Sequence, residues 1–281
     1  MKLNGNSGAR SDRFSIKDSE FVKMPIPSPK NEEQVKIGKL LSTVATYLAL
    51  QQRKLDQLNT LKKGLLQKMF ADKKHPKPEL RFKGFSGNWE QRKLKESCSA
   101  FLDGDWIESK NQSSMGVRLI QTGNIGINNF INKNDNKKWI SLSTFEKLKC
   151  TEVLPGDILI SRLPDPAGRA CIVPSFPYKL ITAVDCTIVR TKEEYNPHFL
   201  VQYLSTFNYF KQVKTALAGG TRQRVSRKNL EQVIVEFPTI KEEQNKIAKL
   251  LSKIDSIITL QQSKLDKLTS LKKSLLQNMF I

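Results

Sequence analysis

LQQRKLDQLNTLKKGLLQKMF, Leu50 to Phe70, returns as LQQSKLDKLTSLKKSLLQNMF from Leu260 to Phe280. Aligned from Asn31 and Lys241, the copies share about 24 of 40 positions. A repeat of this length has to be placed twice in the fold, so it decides the architecture first. In the first copy Ile37, Leu41, Val44, Leu48, Gln51, Leu55, Leu58, Lys62, Leu65 and Met69 follow alternating spacings of four and three. The second copy has Ile247, Leu251, Ile254, Ile258, Gln261, Leu265, Leu268, Lys272, Leu275 and Met279. That spacing is the seam of a coiled coil. Both seams are interrupted at matching places, by Gln and then by Lys. A polar seam residue lowers stability but fixes register and partner. A competing stripe also exists, in which Leu50 and Leu61, or Leu260 and Leu271, shift the apolar face and leave the polar groups in solvent. Either reading predicts a long helix.

Each helix is expected to start near its EEQ motif, after Pro27 and Pro29 in one copy and Pro238 in the other, because proline and carboxylates suit a helix N-terminus. About 38 residues at 1.5 Å rise make a rod of roughly 55 to 60 Å. Two such rods joined by a globular segment can fold antiparallel and serve as a spacer. The similarity extends upstream more weakly, from RFSIKDSEFVKMPIPSP to RVSRKNLEQVIVEFPTI.

The 281 residues carry a net charge of +20, a field that attracts nucleic acid or an anionic membrane surface. No run approaches the ~18 apolar residues of a spanning helix, and the start MKLNGNSGARSDRF has no apolar stretch, so a cytoplasmic protein without a membrane partner is expected. Cys98, Cys150, Cys171 and Cys186 are widely spaced, and His75 and His198 are isolated. Buried reduced thiols are therefore expected, with no disulfide framework and no metal site.

Between the repeats, ADKKHPKPELRFKGFSGNW reads as an exposed connector. From Trp89 to Glu236 the pattern changes to short β-rich runs, GVRLIQTGNI, EVLPGDILISRL, ACIVPSF, LITAVDCTIV and EQVIVEF, with one helical stretch, PHFLVQYLSTFNYFKQVKTAL. This is a compact α+β domain rather than a series of βαβ units. In GDILISR, Asp157 is expected to cap a turn while Ile158 and Ile160 enter the core. Neither a dinucleotide fingerprint nor a Walker loop, GxSxG or HExxH is present, so no catalytic residue is assigned.

Basic and amide side chains gather instead near turns. GGTRQRVSRKN supplies Gly220, Thr221, Arg222, Gln223, Arg224, Ser226 and Lys228. RLIQTGN supplies Arg118, Gln121, Thr122 and Asn124, and Arg162 and Arg169 flank a proline loop. Arg and Lys neutralise phosphates, while Arg, Gln and Asn bond bidentately to guanine or adenine edges in the major groove. Each is ordinary as a single surface charge, but together on a strongly basic chain they favour DNA contact.

The order of VRLIQTGNI, LPGDILISR, GGTRQRVSRKNLEQVIVEFP, KEEQNKIAKLLSKID and the helix ending SLLQNMF resembles the DNA-specificity subunit of type I restriction-modification systems. The resemblance covers nearly all of the chain from Trp89 onward, and Asn31 to Phe70. It implies one mixed α/β target-recognition domain plus two conserved helices packed as an antiparallel coiled coil. It implies a remnant of a first recognition domain over 1–26, a spacer helix over 27–71, a linker over 72–88, the recognition domain over 89–236 and a second spacer helix over 237–281. A non-catalytic subunit of this kind reads one half of a bipartite site on double-stranded DNA and docks methyltransferase and restriction subunits. S-adenosylmethionine is then expected on the partner methyltransferase, with no cofactor on this chain. In the family pattern a complete recognition domain precedes the first helix, whereas here about 25 residues do, too few for a stable core. Gly8, Arg10, Arg13 and Ser15 parallel the Gly219 to Ser226 region. The second half-site reader would then come from a homodimer or a second specificity chain. The competing reading is a coiled-coil scaffold, or an inactive recombination product, without specific DNA readout.

Overall fold

The computed structural model describes residues 6–7, 14–26, 28–133, 135–219 and 223–279. A small hairpin, β1 (Asn6–Ser7) with β2 (Phe14–Ser15), leads to one turn of helix, α1 (Asp18–Phe21), and then to the first long helix, α2 (Asn31–Lys68). Glu32 and Glu33 sit in its first turn, where carboxylates oppose the partial positive charge of free amides. Strands β3 (Glu90–Lys93), β4 (Cys98–Asp103), β5 (Gln112–Ser113), β6 (Val117–Ile120) and β7 (Lys138–Ile140) follow. Next come α3 (Leu142–Lys147), β8 (Ile158–Ser161), β9 (Ala170–Ile172), β10 (Leu180–Thr182) and β11 (Cys186–Thr191). The chain closes with α4 (Pro197–Tyr203), α5 (Phe207–Thr215), β12 (Leu217–Ala218), β13 (Arg224–Val225), α6 (Arg227–Glu231), β14 (Ile234–Phe237) and the second long helix, α7 (Lys241–Met279).

Two compact units result, one of Met1–Asp56 with Thr259–Ile281 and one of Gln57–Ile258. In the first unit the segments of α2 and α7 run antiparallel, since Gln51 meets Gln261 while Lys264 lies over the Tyr47 ring at 5.2 Å. Leu55 and Gln261 are buried, and Ile37, Leu41, Val44, Leu48, Leu265, Leu268 and Leu275 are half-buried. Leu50, Leu260 and Leu271 are exposed, which selects the seam over the shifted stripe. The glutamines can enter it because the Gln261 amide donates to the Gln51 carbonyl at 3.1 Å and to its Oε1 at 2.8 Å. A satisfied amide avoids most of the cost of burial.

In the second unit Ile247, Leu251, Ile254 and Met69 are buried, Leu58, Leu65 and Ile258 are half-buried, and Leu61 is exposed. Here the seam lysine is answered by a carboxylate. Asp255 accepts from the Lys62 ammonium, from the Asn128 amide and, at 2.6 Å, from Gln202 Nε2. The ion pair is largely buried, at 17% and 24% side-chain exposure, so its loss strands a cation and two amides. Asp255→Ala should therefore cost about 2 to 3 kcal/mol. A urea midpoint equal to wild type would show that these donors are rehydrated freely.

The globular part of this unit holds a four-stranded sheet ordered β10-β6-β7-β5, with β10 and β6 parallel and the other pairs antiparallel. A second, antiparallel sheet is ordered β4-β11-β8-β9, and β14 pairs with β3. Ile158 and Ile160 on β8 are wholly buried, and the Asp157 carboxylate accepts from the Leu154 amide at 2.8 Å, closing the Leu-Pro-Gly-Asp turn. The same carboxylate takes two bonds from Arg190, at 2.8 and 3.1 Å. The continuous helical stretch expected after Pro197 is instead two helices. Thr206 interrupts it by capping α5, accepting from the Tyr209 amide while its hydroxyl donates back to the Tyr203 carbonyl. An aromatic cluster gathers at the end of α2, where Phe70 contacts Trp89, Phe199 and Tyr203 at centroid distances of 6.1, 5.3 and 5.9 Å.

Candidate nucleic-acid interface

Three loops that are far apart in sequence are stitched together in the globular unit, and arginines do the stitching. After β6 the chain makes a 3-10 turn, Thr122–Asn124. Asn124 is spent on that turn, with Oδ1 accepting from the Gln121 amide at 3.0 Å and Nδ2 donating to the Ile131 carbonyl at 2.9 Å. Arg169 donates from Nη2 to the Thr122 carbonyl at 3.0 Å and from Nε to that of Ile125 at 2.6 Å. Its Nη1 reaches the carbonyls of Leu163 and Pro166, both at 3.0 Å. One guanidinium thus ties the 121–125 turn to the proline loop. Burial lowers its pKa, and nearby Cys186, Asp165 and Cys171 oppose that shift.

Arg162 links the proline loop to the third segment. Its side chain is buried, paired with Asp103 at 3.2 Å and bonded to the Val184 carbonyl, while its own carbonyl accepts from the Val225 amide at 3.1 Å. Val225 belongs to the hairpin β12–β13, registered Leu217 to Val225 and Ala218 to Arg224. Asp103 also takes Arg227 Nε at 3.1 Å. Beyond the hairpin Ser226 caps α6, accepting from the Asn229 amide at 3.0 Å.

The basic and amide residues therefore sort into two sets. Asn124, Arg162 and Arg169 hold loops in place, and Arg118 is buried within its sheet. Gln121 and Thr122 are half-buried, while Gln223, Arg224 and Lys228 are exposed. The Arg224 guanidinium makes a loose contact with Asp185 at 3.5 Å. Gly220, Thr221 and Arg222, like Gly8, Arg10 and Arg13, lie outside the described residues. Lys133, Lys137 and Lys138 were not singled out from the sequence, although KNDNKKW contains them, because no regular element marked that loop.

All four cysteines are free and buried, and burial pushes Cys98, Cys150 and Cys186 up to about 11 and Cys171 to about 12. Such thiols stay protonated and unreactive near neutral pH. A cleft of about 710 Å³, lined by Asn59, Lys63, Leu66, Phe70, Ile127 and Phe207 among others, offers amide and aromatic surface without a paired nucleophile and base. Among the described residues no group of three His, Cys, Asp or Glu could hold a metal ion, and no helix is long and apolar enough to cross a membrane.

Residues 86–270 match the family model described as type I restriction modification DNA specificity domain. The chain is 27% identical over 287 residues to the "Putative type I restriction enzyme MjaX specificity subunit" of Methanocaldococcus jannaschii, covering 94% of this chain and 60% of that protein. It is 25% identical over 275 residues to the MjaVIII specificity subunit of the same organism, covering 91% and 61%. The chain thus spans about 60% of the length of these curated relatives. Among solved structures, the S subunit of a type I restriction-modification system from M. genitalium superposes with a TM-score of 0.62 at 17% identity, covering 95% of this chain and 66% of that one. The HsdS subunit from Thermoanaerobacter tengcongensis gives 0.55 at 20% identity, covering 98% and 64%. At these identities the structural likeness speaks for the fold.

Proposed function

The chain belongs to the type I restriction modification DNA specificity domain family, and from that premise we propose that its globular domain reads one half of a bipartite DNA site. The observation that carries the reading is the convergence of the 121–125 turn, the 163–166 loop and the β12–β13 hairpin through Arg169 and Arg162. Arg162, buried, and Arg169, half-buried, hold that frame together, leaving Gln121, Thr122, Gln223, Arg224 and Lys228 to meet the duplex. Methyl transfer and cleavage then belong to partner methyltransferase and restriction subunits, with S-adenosylmethionine bound on the methyltransferase. Residues 89–236 act as the target-recognition domain, and the paired long helices act as the spacer and as the docking element for the methyltransferase.

Base readout rests on exposed forks. A good bidentate pair discriminates against the wrong base by about 1 to 3 kcal/mol. Gln223→Ala with Arg224→Ala should therefore lower preference for the specific duplex by roughly 10- to 100-fold in the presence of the methyltransferase. Both side chains are exposed, so the fold should survive. The specific site itself comes from mapping methylated positions in cells with and without the gene. Undiminished preference in the double variant would return the chain to the scaffold reading.

The second reader is proposed to come from another copy or a second specificity chain. The hairpin and helical turn at β1, β2 and α1 repeat the β12, β13 and α6 arrangement. Val22 and Ile26 are 78% and 83% exposed, yet their counterparts Val233 and Phe237 are 4% and 2% exposed beneath a globular domain. In the same way the counterpart of Asp255 is Ala45, and among the described residues half-buried Lys272 makes no ion pair. This surface therefore has the chemistry of one that receives another such domain. Light scattering of the complex with methyltransferase and specific DNA should report two recognition domains, and a single one would contradict the assignment.

A further inference from the structure

Arg118 is the largest of the wholly buried side chains, at 1% exposure. Among the described residues its guanidinium bonds to neutral groups. Nη1 donates to Asn132 Oδ1 at 2.6 Å and to the Tyr178 hydroxyl at 3.1 Å, Nη2 lies 3.4 Å from the Lys133 carbonyl, and the Phe176 ring is 5.6 Å away. Arg162, Arg190 and Arg81 of this unit are paired with the carboxylates of Asp103, Asp157 and Glu243, whereas half-buried Arg169, like Arg118, is met by neutral acceptors. A desolvated cation without an anion is costly, and three more cations beside it increase that cost.

Lys133, Lys137 and Lys138 line an open pocket of about 250 Å³ together with Gln121 and Thr122, and Arg118 borders it from within the sheet. No carboxylate lines it, and exposed Asp135 in the same loop forms no ion pair with these residues among those described. Gly123 completes the wall. A Cβ there would stand 2.7 Å from the Lys133 ammonium, so glycine lets that charge close over the turn.

We propose that this pocket is a phosphate seat that takes one phosphodiester of duplex DNA. The proposal rests on the DNA-reading function above and adds the anchor that sets its register. Ammonium groups with an adjacent hydroxyl are suited to a phosphate oxyanion, and a bound anion also offsets the field of the buried Arg118 behind them. The seat shares the 121–124 turn with the proposed reading surface. A phosphate held there would place the neighbouring base edges against the stitched loops, since backbone contacts position and base contacts specify.

The test uses the full chain and a labelled duplex between about 50 and 200 mM salt, the range over which phosphate contacts dominate affinity. Lys133→Gln with Lys137→Gln should flatten the plot of log affinity against log salt by about 0.9 per lost contact. Affinity should fall equally for specific and unrelated duplexes. Lys147→Gln, on the exposed end of α3, serves as the control and should leave the slope unchanged. An unaltered slope in the pocket variant, or an equal change in the control, overturns the seat while leaving the reading function standing. If the wild-type chain binds no duplex, the reading function itself fails and the DNA assignment falls with it. Inorganic phosphate, titrated at constant ionic strength, then tests the pocket separately. It should raise the Tm of wild type more than that of the pocket variant, and equal shifts would rule out an anion site. A difference without duplex binding would assign the seat to free phosphate instead.

Discussion

Phe70→Ala should destabilise the globular unit by about 3 to 5 kcal/mol, a large share of the 5 to 15 kcal/mol typical of a domain. Phe70 follows the first long helix and is 7% exposed. Its ring contacts Phe199 at 5.3 Å and Tyr203 at 5.9 Å, with Trp89 edge-on at 6.1 Å. Removing the ring therefore deletes apolar burial and three aromatic contacts at once, and it leaves a cavity that rigid neighbours close poorly. Urea unfolding followed by tryptophan fluorescence reads the change, because Trp89 lies in the cluster. Phe207→Ala is the control, since Phe207 is 79% exposed and its loss should stay within about 0.5 kcal/mol. Equal midpoints for the two variants would mean that the end of the helix is not anchored in the core.

Leu55→Asp should disrupt the helix pair, at a cost of several kcal/mol. Leu55 is 5% exposed and one turn from the Gln51–Gln261 contact. Leucine truncation at such a site alone costs about 2 to 5 kcal/mol, and an unpaired carboxylate adds desolvation to that figure. Leu50→Asp should be nearly silent, because Leu50 is 56% exposed on the same helix. Helical ellipticity at 222 nm, and assembly with the proposed methyltransferase partner, should both fall for the first variant and hold for the second. The opposite order would restore the shifted stripe and remove the seam from the account.

The duplication made the long helices legible, because a seven-residue period constrains which side of a helix can be buried whatever surrounds it. The Leu-Pro-Gly-Asp turn and the buried β8 were readable for a similar reason, since turn chemistry and apolar alternation act locally. The break at Thr206 was missed because the apolar spacing continues across it, and only a side-chain cap betrays the new helix start. Strands β5 and β7 are too short, at two and three residues, for an alternating pattern to mark them.

The candidate interface was legible as composition but not as geometry. Arginine, glutamine and asparagine near turns announced a polar surface, yet nothing local separates Arg224, which is exposed, from Arg162, which is buried against Asp103. Nor does spacing along the chain reveal that Lys133 and Arg118 border one pocket.

By itself the sequence determined the two helices, their polar interruptions and the presence of a basic mixed α/β domain between them, because these depend on period, local turn chemistry and net charge. Tertiary structure alone decided which cations form a frame and which face solvent. The reason is physical. A guanidinium has the same covalent chemistry everywhere, and whether it supports a loop or meets a phosphate depends on carboxylates and carbonyls brought beside it from distant parts of the chain.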